Sequence, residues 1–336
     1  MKSLLAAGHK AYLASRSGTA LESGCETQNV PFIGGFKLGT GLAQMWRLPG
    51  DRKRLREVIE SKKIDVVHLH RSNEAMLANW TLSDWGGKGG MNHPPIAIRT
   101  WHREPGALDK LKGQPFVCVS REHETQLTEA GALAKYIPGG VDTERFTPRE
   151  NVKVQGSLKI GLIGRWKEKE DRGQIAFIET LSKLDTKLNF KGILLGRGEG
   201  RASLEARLKK LSVDKIELVE TAEDFPAQVR DLDLGVVLAT GADGSSRPAV
   251  ELLASGVPLL VADKPGLREL AENTSAVKVL LAEDLDAWAS CLRDTVKNPD
   301  AIIEQKAAAR DIATQRHALA VRGTALAEWY GVCKKK

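Results

Sequence analysis

The sequence predicts an α/β fold of two Rossmann-like domains facing each other across a cleft. Three observations predict it. Short apolar runs alternate with amphipathic helical stretches along the chain, the pattern of stacked βα units on a mostly parallel sheet. The alternation comes as two series, one in each half. A polar, proline-containing stretch, FTPRENVKVQG at 146–156, separates them. The first domain is therefore expected over 1–148, a linker over 149–157 and the second domain over 158–315. A C-terminal helix over 316–336 is expected to pack back toward the first domain.

The first series of strands reads KAYLAS (10–15), NVPFI (29–33), IDVVHLH (64–70), IAIRTW (96–101), FVCVS (116–120) and KYIP (135–138). The second reads LKIGLIG (158–164), KGILLG (191–196), KIELVE (215–220), LGVVLA (234–239), PLLVAD (258–263) and VKVLL (277–281). Each run is rich in apolar and β-branched residues and too short for an ordinary helix. Helices fall between them. IAFIETLSKL (175–184) sets Phe177, Leu181 and Leu184 on one face, and RKRLREVIESKK (52–63) does the same with Leu55, Val58 and Ile59.

With 336 residues, 42% of them apolar and 28% charged, the chain can bury two cores and has no disordered composition. No apolar run approaches the ~20 residues of a membrane span. His9 and Lys10 interrupt the apolar start, which therefore does not read as a signal peptide. Cys25, Cys118, Cys291 and Cys333 are scattered without a C-x-x-C pair, the usage of reduced thiols in a cytoplasmic protein. The formal charge of +7 is uneven, with 21 Lys and Arg against 16 Asp and Glu in residues 1–150. The basic stretch 52–63 reads either as a solvated helix exterior or as a surface that meets anionic phospholipid or a phosphorylated acceptor. Nucleic acid is not expected as a partner, because 5% aromatic residues leave few stacking platforms and no binding motif accompanies the charge.

In such sheets ligands bind beyond the carboxyl ends of the strands, and the candidate residues stand there. After LKIGLIG, Gly164 permits a tight turn and Arg165 follows it; Arg172 and Gly173 then open a helix. Two guanidinium groups beside a helix N-terminus suit a diphosphate. The GRGEG that follows KGILLG stands on the second strand of its domain and lacks a helix-packing glycine, so it reads as a flexible turn near a ligand. Strand LGVVLA leads through Asp243-Gly-Ser-Ser into helix AVELLAS. Ser245 or Ser246 can cap that helix, Pro248 suits its first turn, and Glu251 lies about one turn in. Capping does not account for Asp243 just outside the turn. His102 follows IAIRTW at a strand end, as do His68 and His70 in VVHLHR. A packing role is expected for His68 and an acceptor contact for His70. Neither spacing has the company of a metal site.

Taken together, the second half resembles the donor domain of retaining glycosyltransferases of family 4 (group 1 glycosyltransferases), which have the GT-B fold. The family pattern G-R…K-G, G-x-G, E-x7-E and a small-residue helix end before G-x-P-V-V reads here as GRW…RG, GRGEG, D-GSSRPAV-E and LLASGVPLLVAD. VSREHETQLTEAG…KYIPGGVDTERFTP resembles the family's interdomain junction. The resemblance implies that Arg165 and Arg172 neutralise the donor diphosphate, Arg172 standing for the usual lysine after a two-residue insertion. It implies that Glu251 accepts the ribose hydroxyls and that Gly164 and the amides of Gly244, Ser245 and Ser246 border the phosphate. Asp243 takes the place of a sugar-contacting glutamate one methylene longer, a change that bears on donor identity. His102 matches the position facing the sugar and reaction centre.

The expected activity is metal-independent and needs no cofactor. It transfers a hexose-type sugar with retention from a UDP- or GDP-linked donor to a glycan or lipid-linked acceptor. The basic first domain suits lipopolysaccharide or other cell-envelope synthesis in the cytoplasm, with peripheral contact at an anionic membrane face. The alternatives are a GT-B nucleotide-sugar epimerase, whose further carboxylates are not seen, and a non-catalytic nucleotide-sugar-binding protein. Because LLAAGHKAYLAS matches the end of the family's first helix and its second strand, the resemblance also implies either that a first strand and a Gly-rich loop belong upstream, in a longer reading frame, or that the first domain is impaired; the former is the expectation.

Overall fold

In the computed structural model, the residues described are 1–37, 48–85, 94–101, 114–150, 156–168, 173–238 and 247–335. The chain forms two units, Met1–Ile137 with Leu319–Lys336, and Pro138–Ala318.

The first unit begins with α1 (Lys2–Ala6), β1 (Leu13–Ala14), α2 (Ala20–Thr27) and β2 (Phe32–Ile33). The expected first two strands are thus present but pared to two residues each, and they pair only with each other, in parallel. After α3 (Leu48–Lys62) come β3 (Val66–Leu69), α4 (Ser72–Ser83), β4 (Ile96–Trp101), β5 (Pro115–Cys118), α5 (Arg121–Glu129) and β6 (Leu133–Tyr136). Strands β3 to β6 lie side by side in sequence order, all parallel. Alternation along a strand sends successive side chains to opposite faces. Ala97 packs against Leu55, Val58 and Ile59 of α3 and Leu77 of α4, together with Ile33 and Val67. Ile98 turns to the other face.

The second unit is one six-stranded parallel sheet in the order β12-β11-β10-β7-β8-β9. Its strands and helices alternate: β7 (Leu158–Ile163), α6 (Gln174–Ser182), β8 (Phe190–Gly196), α7 (Arg201–Lys210), β9 (Ile216–Glu220), α8 (Phe225–Arg230), β10 (Leu234–Val237), α9 (Arg247–Ala254), β11 (Leu259–Ala262), β12 (Val277–Leu280), α10 (Leu285–Lys297) and α11 (Asp300–Arg316). Burial on both faces explains why these strands are continuous apolar runs rather than alternating ones. Every residue of β10 and β11 is buried. The face read on α6 is real: Phe177, Leu181 and Leu184 are all in the core. The winding reverses at β7, the unit's first strand, whose neighbours are β8 on one side and β10 on the other, and ligands of such sheets bind at this switch point beyond the carboxyl ends.

The boundary between units differs from the polar linker read over 149–157. It lies at Ile137 and Pro138, and the second crossing lies at Ala318 and Leu319. The physical reason is that GGVDTERF is core-forming despite its polarity. Val141 and Phe146 are buried in the second unit's core, and the Val141 amide donates to the His317 carbonyl at 2.7 Å. The Arg310 guanidinium donates to the carbonyls of Thr143, Phe146 and Ala254 at 2.9, 2.7 and 2.7 Å, which fastens this segment to α9 and α11.

The last helix, α12 (Leu319–Lys334), belongs to the first unit. Leu326, Tyr330 and Cys333 cover Ile98, Val117 and Ile137. Gly323 lets α1 cross closely, since a Cβ there would overlap the Ser3 carbonyl. His68 ties this helix to the sheet: its ring nitrogens are hydrogen-bonded to the hydroxyls of Tyr330 and Thr100, each at 2.5 Å. His70 stacks on His68 with ring centroids 5.0 Å apart and remains exposed.

Candidate active site

The site is built on the carboxyl edge of β7, β8 and β10 in the second unit. Gly164 closes β7 by donating its amide to the Leu195 carbonyl at 3.0 Å. Arg165 is exposed, while the next residue, Trp166, is fully buried. The Trp166 amide donates to the Arg197 carbonyl and its carbonyl accepts from the Gly200 amide, both at 3.1 Å. The loops after β7 and β8 are thereby laced together.

This lacing corrects the reading of GRGEG as a flexible turn. A Cβ at Gly196 would overlap the Gly164 carbonyl, and one at Gly198, whose φ is +147°, would overlap the Trp166 carbonyl. The glycines are there because backbone lies against backbone. They hold Arg165 at a defined point on the rim.

Helix α6 begins at the same point. Gly173 caps it in the left-handed region at φ +93°, where a Cβ would overlap the Leu238 carbonyl just past β10. Gln174, buried at the first helical position, donates its side-chain amide to the Arg165 carbonyl at 3.1 Å. The N-terminus of α6, with its outward amides and the positive end of its dipole, thus abuts Arg165 and the end of β10. Nothing in the sequence reading singled out Gln174. The available signal was a polar residue at the start of an otherwise apolar helix.

Glu251 lies in α9, one turn after Arg247. It is only 6% exposed, and its carboxylate accepts from the Arg247 guanidinium at 2.8 Å. Burial pushes its carboxyl above the ordinary glutamate value, and the charges of Arg247 and Arg145 pull it back. Arg145 is the second residue missed. It lies in the GGVDTERF turn, where its amide is bonded to the Asp142 carboxylate at 3.2 Å.

Of the expected site residues, Gly164, Arg165 and Glu251 fall within the described structure. His102, Arg172, Asp243, Gly244, Ser245 and Ser246 lie outside the described residues. Their described neighbours are Trp101 at the end of β4, Gly173 and Leu238, which approach each other closely, and Arg247.

Residues 157–298 match the family model described as "Glycosyl transferases group 1". Over those residues the chain is similar to the group 1 glycosyltransferases. The match covers the β7–α10 body that carries Arg165 and Glu251. Among similar proteins, the Chitobiosyldiphosphodolichol beta-mannosyltransferase of Kluyveromyces lactis is 29% identical over 161 residues, 44% of this chain. That match spans a third (33%) of the yeast protein's length. The Phosphatidyl-myo-inositol mannosyltransferase of Mycobacterium leprae is 22% identical over 302 residues, covering 82% of this chain and 75% of that protein. Among solved structures, Anabaena Alr3699/HepE in complex with UDP-glucose superposes with a TM-score of 0.78 at 15% identity, over 98% of this chain and 94% of that one. The likeness establishes the fold, the α/β GT-B class that the sequence predicts.

Among the described residues, no cluster of three or more His, Cys, Asp or Glu side chains has the arrangement to hold a metal ion. No described helix is long and apolar enough to cross a membrane.

Proposed function

We propose that this glycosyltransferase moves a hexose-type sugar, with retention, from a UDP- or GDP-linked donor to a lipid-linked or saccharide acceptor, without a metal or other cofactor. The observation that carries the reading is the placement of exposed Arg165 against the α6 N-terminus after β7, with buried Glu251 in the helix that follows β10, the neighbour of β7 in one parallel sheet. Each element has a task in that chemistry. Arg165, together with Arg172, neutralises the departing diphosphate, and the α6 amides add preorganised donors. Glu251 accepts both ribose hydroxyls. Its burial makes those two hydrogen bonds valuable, because a desolvated carboxylate is costly until its lone pairs are filled. The amides of Gly244, Ser245 and Ser246 border the phosphate, and His102 and Asp243 orient the sugar.

The acceptor side of the proposal rests on the first unit. Arg52, paired with Asp84, lies over the Trp80 ring at 4.4 Å, and Arg56, 3.6 Å from Glu60, lies over the Trp85 ring at 5.0 Å. Cations carried on aromatic platforms suit an anionic lipid headgroup. The names of both mannosyltransferase relatives contain a lipid. Cell-envelope glycan synthesis at the cytoplasmic face of a membrane follows from this reading.

The test is incubation with UDP- and GDP-sugars, with and without membrane extract, measuring nucleotide release and the glycosylated product. Release that requires the extract and yields a glycolipid supports the proposal. Isomerised donor without release makes the protein an epimerase, and binding without turnover under all conditions makes it a non-catalytic receptor. The anomeric configuration of the product, read by NMR against that of the donor, tests retention directly. A "beta" in the name of the yeast relative makes this measurement pressing.

A further inference from the structure

The second unit has a second concentration of cationic side chains, at the amino ends of β7 and β10. This is the edge opposite to Arg165 and Leu238. Asp233, just before β10, is 1% exposed. Its carboxylate is bonded to the Arg149 guanidinium, accepts from the Lys159 amide at 3.0 Å, and lies 3.4 Å from the Lys306 ammonium on α11. Two cations therefore share one buried carboxylate. Burial, and next the charge of Arg149, hold the Lys306 ammonium below the ordinary lysine value.

A cleft of about 310 Å³ and a shallow surface hollow adjoin there, both bordered by Arg149 and Arg230. Lys306 and Arg310 line the cleft. The other carboxylates on these walls are Asp231 and Asp311, and Asp231 is engaged by Lys159 at 2.7 Å. Arg230 also has exposed Asp224 at 3.9 Å. Among the described residues that line them, Arg149, Arg230, Lys306 and Arg310 stand against Asp231, Asp311 and the Asp233 beneath, and Lys306 is the most buried of the cations. Arginine forks beside a lysine ammonium match the geometry of a phosphate group.

We propose that the cleft and the hollow form a second anion site, distinct from the donor site, that takes a phosphate-bearing ligand. A phosphate seated between Arg149, Lys306 and Arg230 gives the paired cations a second counter-charge, and Asp233 sets the depth to which it enters. They lie at the opposite edge of the sheet, so occupation does not compete with a nucleotide at Arg165.

The experiment uses the full chain carrying Arg165→Ala, so that the donor edge is weakened, with inorganic phosphate and pyrophosphate added at constant ionic strength. Calorimetry and thermal melting are expected to show saturable pyrophosphate binding and a raised Tm. Arg230→Ala on the rim and Lys306→Met in the depth are each expected to weaken binding by tenfold or more. Arg230→Ala keeps the test valid if Lys306→Met fails to fold. Flotation with phosphatidic acid vesicles separates the two sources of the phosphate: co-flotation lost in Arg230→Ala assigns a lipid headgroup, and soluble binding alone assigns a free phosphate. Stabilisation matched by chloride, or binding unchanged in both Arg230→Ala and Lys306→Met, overturns the proposal.

Discussion

The two units solve the same architectural problem by different means. The second buries whole strands of Leu, Ile and Val in a continuous six-stranded sheet. The first divides its strands between a two-stranded and a four-stranded sheet and leaves Val66, Val67 and Ile96 half-buried. It makes up the difference with polar ties and a returning helix: His68 bridges Tyr330 and Thr100, and the Arg322 guanidinium donates to the Ile137 carbonyl at 2.9 Å. The lesson is that a unit organised by apolar burial can leave its loop ends to chemistry, whereas one organised by polar ties spends a residue such as His68 on structure.

Deleting core volume should break the comparison most sharply. Phe177→Ala is expected to cost about 3–5 kcal/mol. Hydrogen exchange resolved by peptide should show the loss across 158–298 with β3 to β6 still protected; uniform loss in both units would mean that they do not hold themselves together independently.

Next in size, Arg165→Ala should lower turnover by roughly 100-fold or more, the scale of losing one preorganised donor to a developing negative charge. Circular dichroism should be unchanged, because the Arg165 side chain is exposed and its backbone carbonyl still accepts from Gln174. Retained turnover would move the leaving-group role elsewhere on the rim.

Glu251→Ala should weaken nucleotide binding by about 1–3 kcal/mol, measured by calorimetry with UDP and GDP. Its pH signature has a defined sign. Burial raises the folded carboxyl above its unfolded value, so the folded state holds the proton more tightly and stability falls as pH rises through that window. Glu251→Gln should flatten this slope in thermal melts run upward from about pH 4, the ordinary glutamate value. A slope identical to wild type would show that Glu251 is fully compensated by Arg247.

The smallest expected effect is His68→Phe, about 1 kcal/mol for two exchanged hydrogen bonds at a half-buried position. The loss should appear in the first unit alone, as faster exchange in α12. A larger loss in the second unit would contradict the structural role given to His68.

Particular residues tell what could be read from the chain. Phe177, Leu181 and Leu184 announced their face because a helix repeats every ~3.6 residues, and that period survives any tertiary arrangement. Leu55, Val58 and Ile59 did the same on α3. The runs before Gly164 and after Gly256 were legible as buried strands by their length and lack of polar residues. Val141 and Phe146 were not legible, because six polar or small neighbours mask two core side chains whose partners lie far off in α9 and α11. GRGEG was misread for a related reason: its glycines answer to the backbone of Gly164 and Trp166, more than thirty residues earlier.

Periodicity and local spacing by themselves determined the α/β class, the two series of strands, and Arg165 and Glu251 as residues of one edge. Those properties depend on neighbours within a few turns of the chain. Only the tertiary structure decided where the units divide, that Gln174 and the glycines of the β8 loop hold Arg165 in register, and that Asp233 gathers Arg149 and Lys306 at the far edge. Each of those depends on contacts across the sheet, and their energies come from burial and charge pairing between residues that no local pattern relates.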